Sequence, residues 1–205
     1  MAGTANRTVW QRVRETALPL VSADTEGAVL PVLGTRALVL HRIDAAEHAR
    51  RRTADAERLD GFAALECLLA LPVDLPVPVD SLGSRERAVL RRLPRGAAEF
   101  DGGTVTRRAV RPLAVDLAVV RAADWRTGLE RAGRFAPFCS RAVLLDRLPG
   151  PELDAAVMDA SFYGIGVLLS GPDGIRSVLA PAEYRPQRHT AAAWHFAEGL
   201  YERLR

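Results

Sequence analysis

The sequence contains no lysine: all 28 residues of its lysine-plus-arginine count are arginines. This absence excludes a phosphate-binding P-loop, a Schiff-base lysine and a lysine general base. Arginine stays protonated and presents a planar fork of N–H donors, so these side chains can bind anions but cannot shuttle protons. The preference for arginine over lysine is typical of a GC-rich bacterial genome.

Cysteine, histidine and long apolar runs are scarce as well. Cys67 and Cys139 stand far apart in apolar stretches, which favours two buried, reduced thiols over a nucleophilic cysteine. No pair among the four histidines has zinc-ligand spacing with a third ligand beside it. The N-terminus lacks the apolar run of a signal peptide, and no apolar stretch reaches the length of a membrane span. These absences predict a cytoplasmic protein that does not contact a membrane.

The composition is that of a globular protein, with 48% hydrophobic and 26% charged residues. Three prolines at close spacing in residues 71–80 predict an extended segment and the best domain boundary in the chain. We therefore expect a small α+β region over residues 1–80 and an α/β core with a C-terminal helix over residues 81–205. The net charge of +3 is too small to indicate a nucleic-acid partner by itself.

Hydrophobic periodicity predicts the helices and strands of both regions. From Ser84 onward the predicted order is α-β-β-β-α-β-α-β-β-α, and the core is expected to be a mixed sheet flanked by helices. The run LAVDLAVV is apolar almost throughout, which is typical of a strand with both faces covered. The segments used below are helices over 7–20 and 60–70, a strand pair over 28–42, a solvated helix or mobile connector over 44–58, a hairpin over 97–110 and a strand over 113–120.

The residues that follow this apolar strand form a pattern of their own. The strand leads into Asp124-Trp125-Arg126 with Leu129 and Ala132, and a later strand begins at Gly164-Ile165-Gly166-Val167. This order, over about residues 84–180, resembles the PD-(D/E)XK, or restriction-endonuclease-like, superfamily, whose core is α-β-β-β-α-β. The resemblance implies a nuclease-like scaffold for the core.

The resemblance does not extend to the family's catalytic motif. That motif places carboxylates for a divalent metal ion and a lysine, in the form Glu-x-Lys, on the middle strand. With Trp125 as the anchor, Val119 takes the glutamate position and Arg121 the lysine position, and a valine cannot bind a metal. With Asp116 as the acidic member, Ala118 replaces the lysine. Either alignment implies a scaffold without the usual nuclease site.

Asp116 stands in the middle of an apolar strand, where an unpaired carboxylate is costly. A buried pair with an arginine is the favoured explanation, and a functional role stays open. In the functional alternative, Asp116 joins Asp101 and Glu99 in an atypical Mg²⁺ site. Asp101 and Glu99 also have simpler explanations, as a turn residue and as an outward-facing strand residue.

Arg107, Arg108 and Arg111 cluster on and after the second strand of the hairpin over 97–110. Alternation along a strand puts Arg107 and Arg111 on one face and Arg108 on the other. Because the guanidinium fork matches phosphate, we predict that these arginines contact DNA, with a solvated hairpin as the alternative. The run of arginines at 50–52 is less favoured because acidic residues surround it.

The sequence therefore supports three hypotheses about function. The preferred one is a non-catalytic protein of nuclease fold that acts as a DNA-associated or protein-docking regulatory module and needs no cofactor. The second is an atypical Mg²⁺-dependent nuclease that uses Asp101, Asp116 and Arg121. The third is a structural or interaction protein with no nucleic-acid role. DNA, another protein and a second copy of the chain stay open as partners.

Overall fold

A mixed six-stranded β-sheet flanked by helices forms one part of the chain, and a small three-stranded sheet forms another. We describe the fold from a computed structural model, in which residues 11–16, 21–146 and 148–205 are described. The predicted α/β class is confirmed. Residues 11–16 are helical, and the rest of the helix predicted over 7–20 lies outside the described residues. Among the helices described, none combines the length and the apolar character that crossing a bilayer requires.

From Ser84 onward, the order of helices and strands is the predicted one. A short 3₁₀ helix (Val79–Ser81) precedes the α-helix that begins at Ser84. In chain order, the elements are β1 (Glu26–Val32), β2 (Thr35–Ile43), α1 (Ala45–Thr53), α2 (Phe62–Ala70), β3 (Pro76–Pro78), α3 (Ser84–Leu90), β4 (Ala98–Asp101), β5 (Thr104–Arg107), β6 (Leu113–Ala122), α4 (Trp125–Gly133), β7 (Ser140–Leu145), α5 (Gly150–Tyr163), β8 (Gly166–Gly171), β9 (Gly174–Leu179) and α6 (Ala191–Leu204).

The chain divides into two compact units, and each unit combines segments that are distant in the sequence. The first unit comprises residues 1–42 and 115–185, and the second comprises residues 43–114 and 186–205. The boundary predicted near residue 80 lies inside the second unit, just after β3.

The sheet of the first unit has the strand order β1-β2-β6-β7-β8-β9. β6, β7 and β8 are parallel, whereas β1–β2 and β8–β9 are antiparallel pairs. β6 lies inside the sheet, between β2 and β7, and residues 117–120 are buried, as the apolar run predicted. β1 lies at the edge, a position that tolerates its Pro31 because the ladder there needs fewer N–H donors.

The hairpin formed by β4 and β5 does not join this sheet. The family resemblance implied that the hairpin and β6 share one core. In the structure, β5 pairs with both β3 and β4 in the small sheet of the second unit, and β2 is the neighbour of β6 instead. Alternation of apolar and polar residues identifies a strand, but the partner of that strand depends on packing between distant segments. The pairing of β6 with β2 instead of β5 was therefore not predictable from the sequence.

Helix α4 packs against the sheet at a glycine. Asp124 caps its first turn, since the Asp124 carboxylate accepts a hydrogen bond from Thr127 N at 2.8 Å. A Cβ atom at Gly128 would lie 2.6 Å from Val143 Cγ2 and 3.0 Å from Ala122 Cβ. The missing side chain is therefore what lets α4 lie flush on β6 and β7.

Replacing Gly128 by alanine is expected to destabilise the protein by about 1 kcal/mol. Forcing a methyl group into a packed site costs about 1–3 kcal/mol, and the better helix propensity of alanine returns up to about 1 kcal/mol. Urea unfolding measures the difference. Gly133→Ala in the same helix is the matched control, because its Cβ would meet no atom within 4 Å and the substitution should not destabilise. Equal stability of the two variants would contradict this packing.

Helix α1 corrects the expectation of a solvated helix or mobile connector over 44–58. It buries charged side chains, with Glu47 and Arg51 only 2% and 6% exposed. Arg51 Nε donates to Glu47 Oε1 at 2.7 Å, and Arg51 Nη2 donates to Glu198 Oε1 at 2.6 Å. Trp194 Nε1 donates to the same Glu198 oxygen at 3.0 Å. Buried ion pairs thus attach α1 to the rest of the second unit, a role that large apolar side chains have in other helices.

Both cysteines are free and buried, as predicted. Burial raises the pKa of the Cys139 thiol to about 12 and also raises the pKa of Cys67. A thiol must ionise before it can attack an electrophile, so neither side chain is activated as a nucleophile.

Candidate nucleic-acid interface

Arg107, the first of the arginines predicted to contact DNA, is buried within the second unit. Its Nη1 donates to Leu68 O at 2.8 Å and to Leu71 O at 3.2 Å, and its Nε donates to Ala109 O at 2.9 Å. Its guanidinium carbon lies 4.7 Å from the centre of the Trp194 ring. Burial lowers the pKa of Arg107. This side chain joins backbone segments to one another, and only 8% of the residue is exposed.

Arg108 and Arg111 are half-buried, and their side chains already have partners. Arg108 donates hydrogen bonds to Glu99 at 2.7 Å and to Asp74 at 2.8 Å. Both hydrogen bonds raise the pKa of Arg108, and the bond to Glu99 has the larger effect. Arg111 Nη2 lies 3.0 Å from His189 Nδ1. The guanidinium groups of all three hairpin arginines therefore have partners within the protein.

The carboxylate of Asp116 is paired, as the apolar surroundings of its strand predicted. Its partner is Arg42 on β2, whose Nη2 donates to Oδ1 at 3.0 Å and whose Nε donates to Oδ2 at 3.1 Å. Thr25 Oγ1 donates to Oδ2 at 2.7 Å. The hydrogen bond to Asp116 raises the pKa of Arg42. Both carboxylate oxygens are thus occupied by protein donors.

The residues of the nuclease alternative are divided between the two units. Asp101 and Glu99 lie on β4 in the second unit, whereas Asp116 belongs to the first. Asp116 and Arg121 are five positions apart on β6, so they point to opposite faces of the sheet. Arg121 is paired with the exposed Asp146 at 3.1 Å. Within the described ranges, no group of three or more His, Cys, Asp or Glu side chains is placed to hold a metal ion.

A different set of arginines, on α3 and the turn after it, is exposed and forms no salt bridge with any described residue. Arg85, Arg91 and Arg92 are exposed around Ala88, which is exposed too. At 3.6 residues per turn these four positions span an arc of about 120°. None of the three arginines forms a salt bridge with a carboxylate in the part of the chain that the structure describes. We call these four residues the basic face of α3.

The opposite side of α3 explains why the basic face points outward. Leu90 is 1% exposed and packs in a cluster with Cys67, Leu71 and Val105 of the second unit. The first turn of α3 is stabilised by Glu86, whose carboxylate accepts a hydrogen bond from Gly83 N at 2.6 Å. This bond directs the acidic side chain of the helix toward the backbone of Gly83.

The helix at Ser84 was predicted from the sequence, but its basic face was not. The signal was available, because arginines 85 and 92 are seven positions apart, which is a helical repeat, and Leu90 falls on the other side. The DNA contact was predicted at the hairpin arginines instead. A sequence does not show the carbonyl and carboxylate groups that accept hydrogen bonds from those arginines.

No family model, curated protein or solved structure matches this chain.

Proposed function

We propose that this chain is a non-catalytic, DNA-associated protein that binds duplex DNA through the basic face of α3. The observation that carries the proposal is a set of three exposed arginines, Arg85 on α3 and Arg91 and Arg92 in the turn after it, with no carboxylate paired to them in the described residues. Each guanidinium retains its fork of N–H donors, and that fork matches both phosphate oxygens and the edge of guanine in the major groove.

The shape of the basic face favours DNA over other anions. An α-helix with its side chains is about 10–12 Å across, and the major groove of B-DNA is about 12 Å wide. Ala88, at the middle of the face, lets the helix backbone approach the groove floor, while Arg85 and Arg91 reach to either side. DNA-binding modules commonly present one exposed basic helix in this manner, supported from behind by a second helix. Here α2 packs against α3.

The absence of cleavage is also part of the proposal. It is supported by Asp116, whose oxygens are taken by Arg42 and Thr25, and by Val119, which is buried and has no metal-binding atom. Descent from a restriction-endonuclease-like scaffold is supported by the succession β6, α4, β7 with parallel strands, which agrees with the order that the resemblance implies. We further place the protein in the cytoplasm, where free thiols persist and DNA is accessible.

A salt titration tests DNA binding by the unmodified chain. We expect the chain to bind a short duplex in fluorescence anisotropy, and three phosphate contacts should raise Kd about 40-fold between about 50 and 200 mM salt. Poly-glutamate of similar charge is the control, because a flexible acidic chain lacks a groove. Failure to bind the duplex at low salt would refute the proposal. Tighter binding to poly-glutamate than to the duplex would indicate that the partner is an acidic protein and not DNA.

A further inference from the structure

The first unit contains a cavity that the DNA proposal does not use. Its volume is about 440 Å³, and it lies between α4, α5 and the start of β7. Trp125, Leu129 and Ile165 form much of its apolar wall, and Tyr163 adds a second aromatic ring. Cavities of this size with apolar walls and few polar groups are typical of small-molecule sites.

Arg141 supplies an incompletely compensated charge to this cavity. The residue is half-buried, and its Nη2 donates to Tyr163 O at 2.5 Å. Within the described part of the chain, its buried Nε has no hydrogen-bond partner, and no salt bridge joins Arg141 to a carboxylate. Burial lowers the pKa of this arginine. A guanidinium that loses water without gaining a counter-charge is unfavourable, so an anion in the cavity would stabilise it.

A second arginine, Arg126, lines the same cavity and is exposed. Its guanidinium carbon lies 4.2 Å from the centre of the Trp125 ring, so aromatic stacking holds a cation against the cavity wall. Two carboxylates line the cavity, those of Glu130 and Asp159. Glu130 is paired with Arg134 at 2.9 Å, so only Asp159 is available to balance the arginines of the cavity. Two arginines thus face one available carboxylate.

We propose that this cavity binds a small organic anion with a planar, apolar body and a carboxylate group. The carboxylate is recognised by Arg141 and Arg126, and the ring system lies against Trp125 and Leu129. The charge excess selects an anion, and the apolar wall selects against inorganic phosphate. This inference concerns residues of the first unit only, so it stands or falls independently of DNA binding by α3.

Calorimetric titration of the full chain with two probes tests the proposal. Naphthoate and naphthamide share a ring system and differ in charge, and we expect naphthoate to bind about tenfold more tightly because charged hydrogen bonds are the stronger ones. In Arg141→Met this preference should disappear. Arg131→Met, which removes an exposed arginine of α4 outside the cavity, should retain it.

Three results would overturn the site. They are equal binding of the two probes, tighter binding of inorganic phosphate than of naphthoate, and an unchanged preference in Arg141→Met. If Arg141→Met does not fold, Arg126→Gln takes its place, since Arg126 is exposed and its loss should weaken naphthoate binding severalfold without loss of structure. Unchanged naphthoate affinity in folded Arg126→Gln would then count against the proposal.

Discussion

Replacing Arg85, Arg91 and Arg92 together by alanine is expected to weaken binding to duplex DNA by about 100-fold or more. Each arginine that contacts phosphate or a base edge contributes about 1 kcal/mol or more to binding. The same change should reduce the slope of log Kd against log salt by about 2.7, because three phosphate contacts are lost. Fluorescence anisotropy over a range of salt concentrations measures both quantities.

A matched control separates recognition by α3 from general attraction. The variant Arg52→Ala/Arg131→Ala/Arg176→Ala removes the same number of exposed positive charges from elsewhere on the chain. It should retain most of the affinity and most of the salt dependence. Since all six side chains are exposed, both triple variants should keep their stability within about 1 kcal/mol, as unfolding in urea would show. Equal loss of affinity in the two variants would rule out α3 as the contact surface.

The largest change in stability is expected when Arg51 is replaced by methionine, with a loss of about 3–5 kcal/mol in the free energy of unfolding. Burial opposes the charge of Arg51, yet hydrogen bonds and charges from Glu198 and Glu47 outweigh burial and raise its pKa. The variant would remove the arginine paired with the nearly inaccessible Glu198, and Glu47 would keep only its pair with Arg50.

Helix α6 offers the control for this prediction. Glu202 forms a pair with Arg205 at the surface, where both side chains are more than a third exposed. Glu202→Gln should change the free energy of unfolding by less than about 1 kcal/mol, because water screens exposed pairs. A loss in Arg51→Met as small as that of the surface variant would show that the buried network does not stabilise α1.

The order of helices and strands was predictable from the sequence because each element has its own periodicity. β6 is the clearest case, since a strand with two covered faces must be apolar nearly throughout, and Asp116 within it had to find a cation. The identity of that cation, Arg42, was not predictable. It comes from a strand more than 70 residues earlier in the sequence, and no local pattern reports such a pairing.

The partners of the hairpin arginines were not predictable, for the same physical reason. Arg107 and Arg108 looked available because a sequence lists donors without their acceptors, and in the fold these donors are taken by Leu68 O, Asp74 and Glu99. α1 shows the converse, since its lack of large apolar residues indicated exposure while Arg51 is held inside by carboxylates. Buried polar networks thus limit what hydrophobic patterns reveal.

Because each unit is assembled from two stretches of chain, no single cut in the gene yields both units as separate polypeptides. Truncation after residue 114 would remove Glu198 and Trp194 from the second unit and most strands of the large sheet from the first. To isolate the second unit, residues 1–42 and 115–185 must both be removed, and residues 43–114 and 186–205 must be joined by a linker in one order or the other.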